Sequence, residues 1–398
     1  RTSVPRRPPM KIALASDWFL PRIGGLELQM RDLAVELTAA GHHVEVIAAT
    51  EGPSEVMGVP VHRIDASPLI AYGQLSWRPR VARDVERVLA QGGFDVVHCH
   101  SALSPLSLMA VRAARRLGLP TVFTEHSVMH GAGGVILSGV NRLNGWSQWP
   151  DVMTGVSSVV ARGLSDLFGR EVHVLPNGVT PDAWVASDHS RDPVRVLSVM
   201  RLTSRKQPLD FVRAIPRVLE QMPAGAAPRF VLIGDGPQRL RVLLEAKRLG
   251  VSKHLEFRGQ LDRSDVRDAL AETSVFALPT EKEALSIASL EALSSGVPVV
   301  AMSHGGVGDI VTHGETGYLA DDPGEFARYI ARLAADAALR RSMAERGPSV
   351  AERFAWPRVV ARHLEIYDMA ISVVARRRRG ESLDARAEIG ARAARPVG

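Results

Sequence analysis

The sequence predicts an α/β protein with two domains, each built on a doubly wound parallel sheet. Short apolar runs of strand length alternate with longer segments of helical periodicity, a pattern typical of parallel sheets covered by helices on both faces. The chain has 398 residues, more than one compact core accommodates. The alternation restarts after a polar stretch near the middle, so we expect two such domains.

The amino-terminal half contains five predicted strands separated by amphipathic segments. The strands are Lys11–Ala15, Val44–Ala48, Val96–His98, Val122–Thr124 and Val152–Thr154. The main predicted helices are Glu27–Ala40, Val81–Leu89 and Pro105–Leu117. We assign residues 10–185 to this first domain and expect residues 1–9 to form a flexible leader.

The second half repeats the same alternation. Its predicted strands are Val196–Val199, Phe230–Ile233, Leu255–Phe257, Val275–Leu278 and Val299–Met302. Its predicted helices include Leu209–Leu219, Leu240–Arg248 and Phe326–Ala334. The polar stretch from Asp182 to Pro193 predicts the break between the halves, and we assign residues 186–356 to the second domain.

The positive charge lies mainly at the carboxyl end. The formal net charge is +6, and residues 376–398 alone hold seven Arg against three acidic residues. The net charge of the residues before this tail is close to zero, which argues against a dedicated nucleic-acid binder. We interpret residues 376–398, which begin with Arg376–Arg379, as a basic, disordered tail, and a membrane-surface anchor is the alternative.

The cellular setting is predicted from the cysteine content and the apolar runs. Cys99 is the single cysteine and cannot form an intramolecular disulfide, which favours a reducing cytosol. The sequence has neither an apolar run of 18 residues nor a signal core. We therefore expect a cytoplasmic protein, with peripheral membrane contact as an option, and the sequence does not predict the oligomeric state.

Two loops that follow strands carry residues suited to an anion. Because ligands of open parallel sheets bind beyond the carboxyl ends of the strands, two facing sheets would share one cleft. Gly24 and Gly25 after the first strand could bring backbone N–H groups close to a phosphate, or simply form a tight turn. Arg201 and Lys206 after the strand Val196–Val199 could neutralise a diphosphate, or form a solvated basic loop.

The stretch from Pro279 to Leu293 is the most informative. Glu283 lies in the predicted loop after the strand Val275–Leu278, and Glu291 lies inside the helix that follows. One carboxylate could accept hydrogen bonds from sugar hydroxyls and the other from a ribose. The backbone N–H groups of Leu285 to Ile287 would then face phosphate oxygens. A solvated helix face is the alternative.

In this order and at this spacing, the motifs resemble those of the retaining nucleotide-sugar glycosyltransferases of family 4. The matching pieces are Gly24–Gly25, Gly41–Val44, Asp95–Ser101, Thr121–Ser127, Val174–Val179, Arg201 with Lys206, Ile233–Pro237, Glu283 with Glu291, Gly305–Gly306, Gly314–Leu319 and Phe354–Trp356. The resemblance implies the GT-B fold, in which two Rossmann-like domains face each other across a cleft. It also implies that the first domain receives the acceptor and the second the donor, and that a helix near residues 357–375 crosses back onto the first domain.

The resemblance also implies the roles of individual residues. Catalytic roles fall to Arg201 and Lys206, which would grip the donor diphosphate, to Glu283, which would hold the transferred sugar, and to His126 beside that sugar. Donor-binding positions are Gly24, Gly25, Gly234, Gly236, Leu285, Ser286, Ile287 and, for the ribose, Glu291. Many family members have Phe-Gly where this chain has Leu285 and Ser286.

The amino-terminal motifs further resemble those of the phosphatidylinositol N-acetylglucosaminyltransferases. That likeness implies a GlcNAc donor, with UDP favoured as the nucleotide, and an inositol-type or lipid-linked acceptor. Asp17, His100 and Ser101 are the acceptor-binding positions that it suggests. A nucleotide-sugar epimerase or hydrolase of the same fold is the alternative, and a non-catalytic nucleotide-sugar module is a third interpretation.

No metal or cofactor is expected beyond the nucleotide sugar. His98 and His100 would share one strand face with Cys99 opposite, so the three do not form a ligand set. The sequence also lacks the Asp-x-Asp pair that carries a divalent ion in the other large glycosyltransferase fold. We expect metal-independent transfer with retention, in which the departing phosphate accepts the acceptor's proton, as the family likeness implies.

Overall fold

The computed structural model describes residues 8–66, 79–129, 132–188 and 193–381. Within these residues the chain forms two sheets, one on each side of the predicted break. The strands are β1 (Lys11–Ser16), β2 (His43–Ala48), β3 (Glu55–Val56), β4 (Val59–Arg63), β5 (Val96–His100), β6 (Thr121–Glu125), β7 (Val152–Gly155), β8 (His173–Val174), β9 (Arg195–Val199), β10 (Arg229–Ile233), β11 (Leu255–Gly259), β12 (Val275–Leu278), β13 (Val299–Met302) and β14 (Gly317–Ala320).

The helices lie between the strands and cover the sheets. They are α1 (Gly25–Ala39), α2 (Pro79–Gly92), α3 (Pro105–Arg116), α4 (Ala132–Asn144), α5 (Ser158–Phe168), α6 (Pro208–Leu219), α7 (Arg239–Arg248), α8 (Arg263–Ala271), α9 (Ile287–Ser294), α10 (Pro323–Ala335), α11 (Ala337–Ala344), α12 (Gly347–Glu352) and α13 (Trp356–Arg378). All ten predicted strands are present, each within two residues of its predicted ends. Four strands were missed because they are short or lie at or next to a sheet edge: β3, β4, β8 and β14.

The strand order of both sheets is that of doubly wound domains. The first sheet runs β3-β4-β2-β1-β5-β6-β7-β8, parallel except for β3, and the second runs β11-β10-β9-β12-β13-β14 with all strands parallel. The order reverses between β1 and β5 in the first sheet and between β9 and β12 in the second. Ligands of such sheets bind at these reversal points, and the loops that follow these four strands carry most of the predicted site residues.

Helix α13 returns to the first domain, as the resemblance implied. It packs against α1, β5, β6 and β7, and its Tyr367 is fully buried among their side chains. The helix continues to Arg378, so the predicted disordered tail begins later than residue 376.

The basic run at the end of α13 is tied to the protein surface. Arg377 forms an ion pair with Asp151, and Arg378 donates to the backbone oxygen of Gly118 at 2.9 Å. These two side chains stabilise the docked helix end, which is a structural use of the basic run. The remainder of the tail, 382–398, and most of the predicted leader, 1–7, lie outside the described residues. Within the described residues, no helix combines the length and the apolar character that crossing a bilayer requires.

Candidate donor and acceptor site

The loop between β1 and α1 meets Arg201 of the second domain. Arg201 Nη2 donates to the backbone oxygen of Ile23 at 2.8 Å. A Cβ on Gly24 would lie 2.8 Å from the same nitrogen and 2.4 Å from Glu27 Oε2. A side chain at Gly24 would therefore displace the ends of Glu27 and Arg201. The glycine loop of the first domain and Arg201 of the second lie in contact through Ile23.

Lys206 and Glu283 form an ion pair at the carboxyl ends of β9 and β12. The Nζ of Lys206 lies 2.5 Å from Oε2 of Glu283, and both side chains are mostly buried. The Thr280 hydroxyl donates to the backbone oxygen of Lys206 at 3.1 Å, and Glu281 N donates to Gln207 Oε1 at 2.7 Å. These bonds join the two loops, so the cation and the carboxylate have fixed places.

The backbone that leads into α9 presents free N–H groups. Among the described residues, the N–H groups of Leu285, Ser286 and Ile287 have no protein acceptor. A Cβ on Gly25 would lie 3.7 Å from Cδ1 of Ile287, so this helix end faces the glycine loop of the first domain. Free N–H groups at a helix start form a site suited to an anion.

Ser286 has a backbone conformation that normally favours glycine. Its φ is +73° and its ψ is +90°. Its hydroxyl accepts from Ser289 N at 3.2 Å and contacts the Ser289 hydroxyl at 2.7 Å, which caps α9. Although this chain has Leu285 and Ser286 where many family members have Phe-Gly, the loop therefore keeps a glycine-like backbone conformation. The side-chain cap offsets part of the strain.

Gly234 and Gly236 support the segment that carries Arg201. Their φ values are +136° and +153°, and a Cβ at either would approach within 1.8 Å of Met200 O or 2.6 Å of Leu202 O. The backbone of Met200 to Leu202 passes directly over them. This geometry gives both glycines a packing role. Their contact with the donor stays a prediction.

Glu291 is a buried carboxyl between the two domains. Its Oε1 lies 3.4 Å from Arg263 Nη2, and the same guanidinium donates to Asp32 of the first domain at 3.0 Å. Burial raises the pKa of Glu291 to about 7, with Arg263 lowering it and Asp32 raising it. Glu291 thus lies next to the first domain, and its charge depends on its neighbours. Its contact with the ribose stays a prediction.

A cluster of histidines lies under the acceptor side of the cleft. His100 Nδ1 and His126 Nε2 are 3.0 Å apart, and His98 bonds Tyr367 at 2.9 Å and Thr124 at 2.7 Å. His100 and His126 line a small cavity with Gln29, Asn177, Trp356 and His363. Burial lowers the pKa of His126 to about 3 and that of His363 to about 4, and holds the pKa values of His98 and His100 well below their usual range. The rings are therefore neutral at pH 7.

Within the described residues, no group of three His, Cys, Asp or Glu side chains is arranged to hold a metal ion. Cys99 is buried in the core on the opposite side of β5, as the strand alternation predicted.

Asp17 has a different role from the predicted acceptor contact. It is fully buried, and its Oδ2 accepts from the Ser104 hydroxyl at 2.6 Å and from Leu106 N at 3.0 Å. The carboxylate thereby stabilises the start of α3. Because its oxygen is engaged inside the protein, we correct the prediction and assign Asp17 to positioning. Ser101, also buried, has φ +71° and shapes the loop after β5.

Glu125 was missed as an individual site residue, although it lies in the quoted motif from Thr121 to Ser127. Its carboxylate accepts backbone N–H groups from Ala102 at 2.7 Å, His126 at 2.9 Å and Ser127 at 2.8 Å. Burial raises the pKa of Glu125 to about 7, although these donors lower it. Glu125 therefore ties the loop after β5 to the loop that carries His126.

Two family models match the chain, one for each domain. Residues 23–183 match Glycosyltransferase Family 4, and residues 185–350 match Glycosyl transferases group 1. The chain belongs to glycosyltransferase family 4. This family 4 enzyme is a nucleotide-sugar-dependent glycosyltransferase, and the junction of the two matches lies at the predicted domain break.

Similar proteins support the same assignment over the whole chain. One component of the phosphatidylinositol N-acetylglucosaminyltransferase of Arabidopsis thaliana is 28% identical, covering 92% of this chain and 83% of that protein. The D-inositol 3-phosphate glycosyltransferase of Acidothermus cellulolyticus is 29% identical over 92% and 91% of the two chains. Anabaena HepE, solved with UDP and glucose, superposes with a TM-score of 0.74 at 20% sequence identity. The match covers 90% of this chain and 99% of that chain. The GT-B fold of this family 4 enzyme is thereby confirmed.

Proposed function

We propose that this family 4 enzyme moves GlcNAc from UDP-GlcNAc to a hydroxyl of an inositol-type acceptor, with retention at the anomeric carbon and without a metal ion. The observation that carries the proposal is the grouping of Lys206, Glu283 and the free N–H groups of Leu285 to Ile287 at the carboxyl ends of the neighbouring strands β9 and β12. A cation and helix N–H groups suit a diphosphate, and a carboxylate beside them suits sugar hydroxyls.

The donor would lie along the second domain. Its diphosphate would contact Arg201, Lys206 and the first turn of α9, its sugar would contact Glu283, and its ribose would contact Glu291. His126 would contact the sugar from the first domain as a neutral ring, because its pKa is about 3. Two fixed cations would stabilise the charge of the departing nucleotide.

The proposed reaction proceeds on one face of the sugar. The bond between the anomeric carbon and the phosphate oxygen breaks, and the acceptor oxygen bonds to the same carbon from the same side. The acceptor's proton passes to the departing phosphate oxygen. The protein's contribution is alignment and charge stabilisation in a closed cleft.

The choice of donor and acceptor is supported by similarity. A relative named for N-acetylglucosaminyl transfer to phosphatidylinositol and another named for D-inositol 3-phosphate both cover nearly the whole chain. Both names contain an inositol, so an inositol-type hydroxyl is the acceptor class that we propose. We also propose the cytoplasm as the location.

A product assay tests this function. Enzyme, UDP-GlcNAc or GDP-mannose, and inositol 3-phosphate or phosphatidylinositol vesicles are incubated with EDTA, and the products are analysed by mass spectrometry and NMR. We expect an α-linked product from UDP-GlcNAc and release of UDP that depends on the acceptor. A β-linked product or loss of activity in EDTA would contradict retention or metal independence. A converted sugar without acceptor would instead indicate an epimerase or hydrolase.

A further inference from the structure

The guanidinium of Arg263 lies among three groups from different parts of the fold. It donates to Asp32 of α1 at 3.0 Å, approaches Glu291 of α9 to 3.4 Å, and lies 5.5 Å above the ring of Trp184. Arg263 itself begins α8, which is capped by Asp262. One side chain therefore contacts both domains and the carboxyl proposed for the ribose.

Glu291 cannot bind a ribose diol well unless it is charged. A carboxylate accepts hydrogen bonds from both hydroxyls, whereas a protonated carboxyl has one donor and weaker acceptors. A carboxyl as largely buried as that of Glu291, whose side chain is 12% exposed, favours the neutral form unless a cation lies beside it. Arg263 is the cation that the structure provides at this point.

We propose that Arg263 is a positioning residue for the donor nucleotide: its guanidinium favours the charged form of the Glu291 carboxyl, which is the form that a ribose diol binds. The bond from Arg263 to Asp32 connects this pair to the first domain. The inference rests on the proposed function, in which Glu291 binds the ribose. It adds a residue that the motifs did not single out.

The electrostatics agree with this role. In the described part of the chain, Arg263 from α8 and Asp32 from α1 are the charged groups that shift the pKa of Glu291, in opposite directions. The other elements packed on α9, which are α12, β12, β13 and the turn at Pro181–Ala183, contribute no charge that shifts it. Removing Arg263 should therefore raise the pKa of Glu291 above about 7, and removing Asp32 should lower it.

The test is nucleotide binding by the full chain between pH 6 and pH 9. UDP and GDP are both titrated, since they share the ribose. The variants are Arg263→Gln, Arg263→Lys and Asp32→Asn, with Arg267→Gln as the matched control one turn further along α8, where the side chain contacts Asp268. Glu291→Gln corrects for the titration of the nucleotide phosphate, and thermal unfolding verifies the fold of each variant.

We expect Arg263→Gln to weaken nucleotide binding about fivefold at pH 7, for a shift of one pKa unit in Glu291 from about 7, and by less than about 1.5-fold at pH 9. Arg263→Lys should restore most of the affinity because it keeps the charge. Asp32→Asn should bind at least as tightly as the wild type. Arg267→Gln should behave as the wild type at every pH.

Two results would overturn the inference. A loss in Arg263→Gln that is the same at pH 7 and pH 9 would mean that Arg263 does not act through the charge of Glu291. An equal loss in Arg263→Gln and Asp32→Asn would make Arg263 only a bridge between the domains. If the wild type bound neither nucleotide, the proposed function would fail first, and the inference with it.

Discussion

Lys206 Nζ and Glu283 Oε2 lie 2.5 Å apart, so the proposed diphosphate cation and the proposed sugar carboxylate hold each other in place before a donor arrives. Each partner orients the other, and both side chains are mostly buried. The pair is the centre of the site, and its disruption should affect turnover more than folding.

Lys206→Ala should lower kcat about 100-fold or more, because it removes one cation that stabilises the departing phosphate. Steady-state kinetics with the nucleotide-sugar donor measure the loss, and thermal unfolding should show a well-folded protein. Lys253→Ala, an exposed lysine outside the site, is the control. Turnover like that of the wild type in Lys206→Ala would refute the diphosphate assignment.

Glu291→Gln should stabilise the ligand-free protein at pH 7. The unfolded carboxyl ionises above its ordinary pKa of 4.5, whereas the folded carboxyl ionises only above about 7. The wild type therefore loses stability as the pH rises from 4.5 to 7, and the glutamine variant lacks this loss. We expect a difference of about 1 to 3 kcal/mol in the free energy of unfolding at pH 7 and above. Urea denaturation at several pH values measures it; a difference that does not change between pH 4.5 and 7 would exclude the raised pKa.

The buried histidines should make the protein sensitive to acid. His98, His100, His126 and His363 have folded pKa values below their ordinary value of 6.5, so stability is lost as the pH falls below 6.5. Between that pH and its folded pKa, each contributes at most about 1.4 kcal/mol per pH unit. His363→Gln should reduce the slope of stability against pH between 6 and 5, and His43→Gln, which changes an exposed ring, should not. Equal slopes in both variants would contradict this account.

Two substitutions at Ser286 separate the cap from the backbone strain. Ser286→Ala loses the bond to Ser289 N and keeps a side chain at φ +73°, so it should be the less stable variant. Ser286→Gly loses the same bond but relieves the strain, and it should be about 1 kcal/mol more stable than Ser286→Ala. Thermal unfolding of the two variants decides the order, and the reverse order would mean that the backbone at this position is not strained.

Much of the fold could be predicted from the sequence because apolar periodicity is a local signal. The predicted strand Val275–Leu278 and helix Leu209–Leu219 agree with β12 and α6 to within one residue. Strands at or next to a sheet edge, such as β14 and β4, were missed because they are short and only partly apolar. The end of α13 was missed because the bonds of Arg377 and Arg378 to distant residues stabilise it.

The site was partly predictable. Residues in ordered motifs, such as Glu283 and Arg201, were singled out by their places after strands, and their predicted roles came from the resemblance to the family. Asp17 was assigned to the wrong task, because only the packing against α3 shows where its carboxylate points. No sequence pattern indicated a role for Arg263, because only the tertiary structure brings its partners Asp32 and Glu291 to it.

A crystal structure of the enzyme with UDP tests the central claim most directly, namely that the second domain holds a nucleotide diphosphate in the cleft. We predict the distal phosphate within hydrogen-bond distance of Arg201, Lys206 and the N–H groups of Leu285 to Ile287, and the ribose hydroxyls on Glu291. Density for UDP on another surface, with Lys206 and Glu283 still paired and no nucleotide beside them, would contradict the claim.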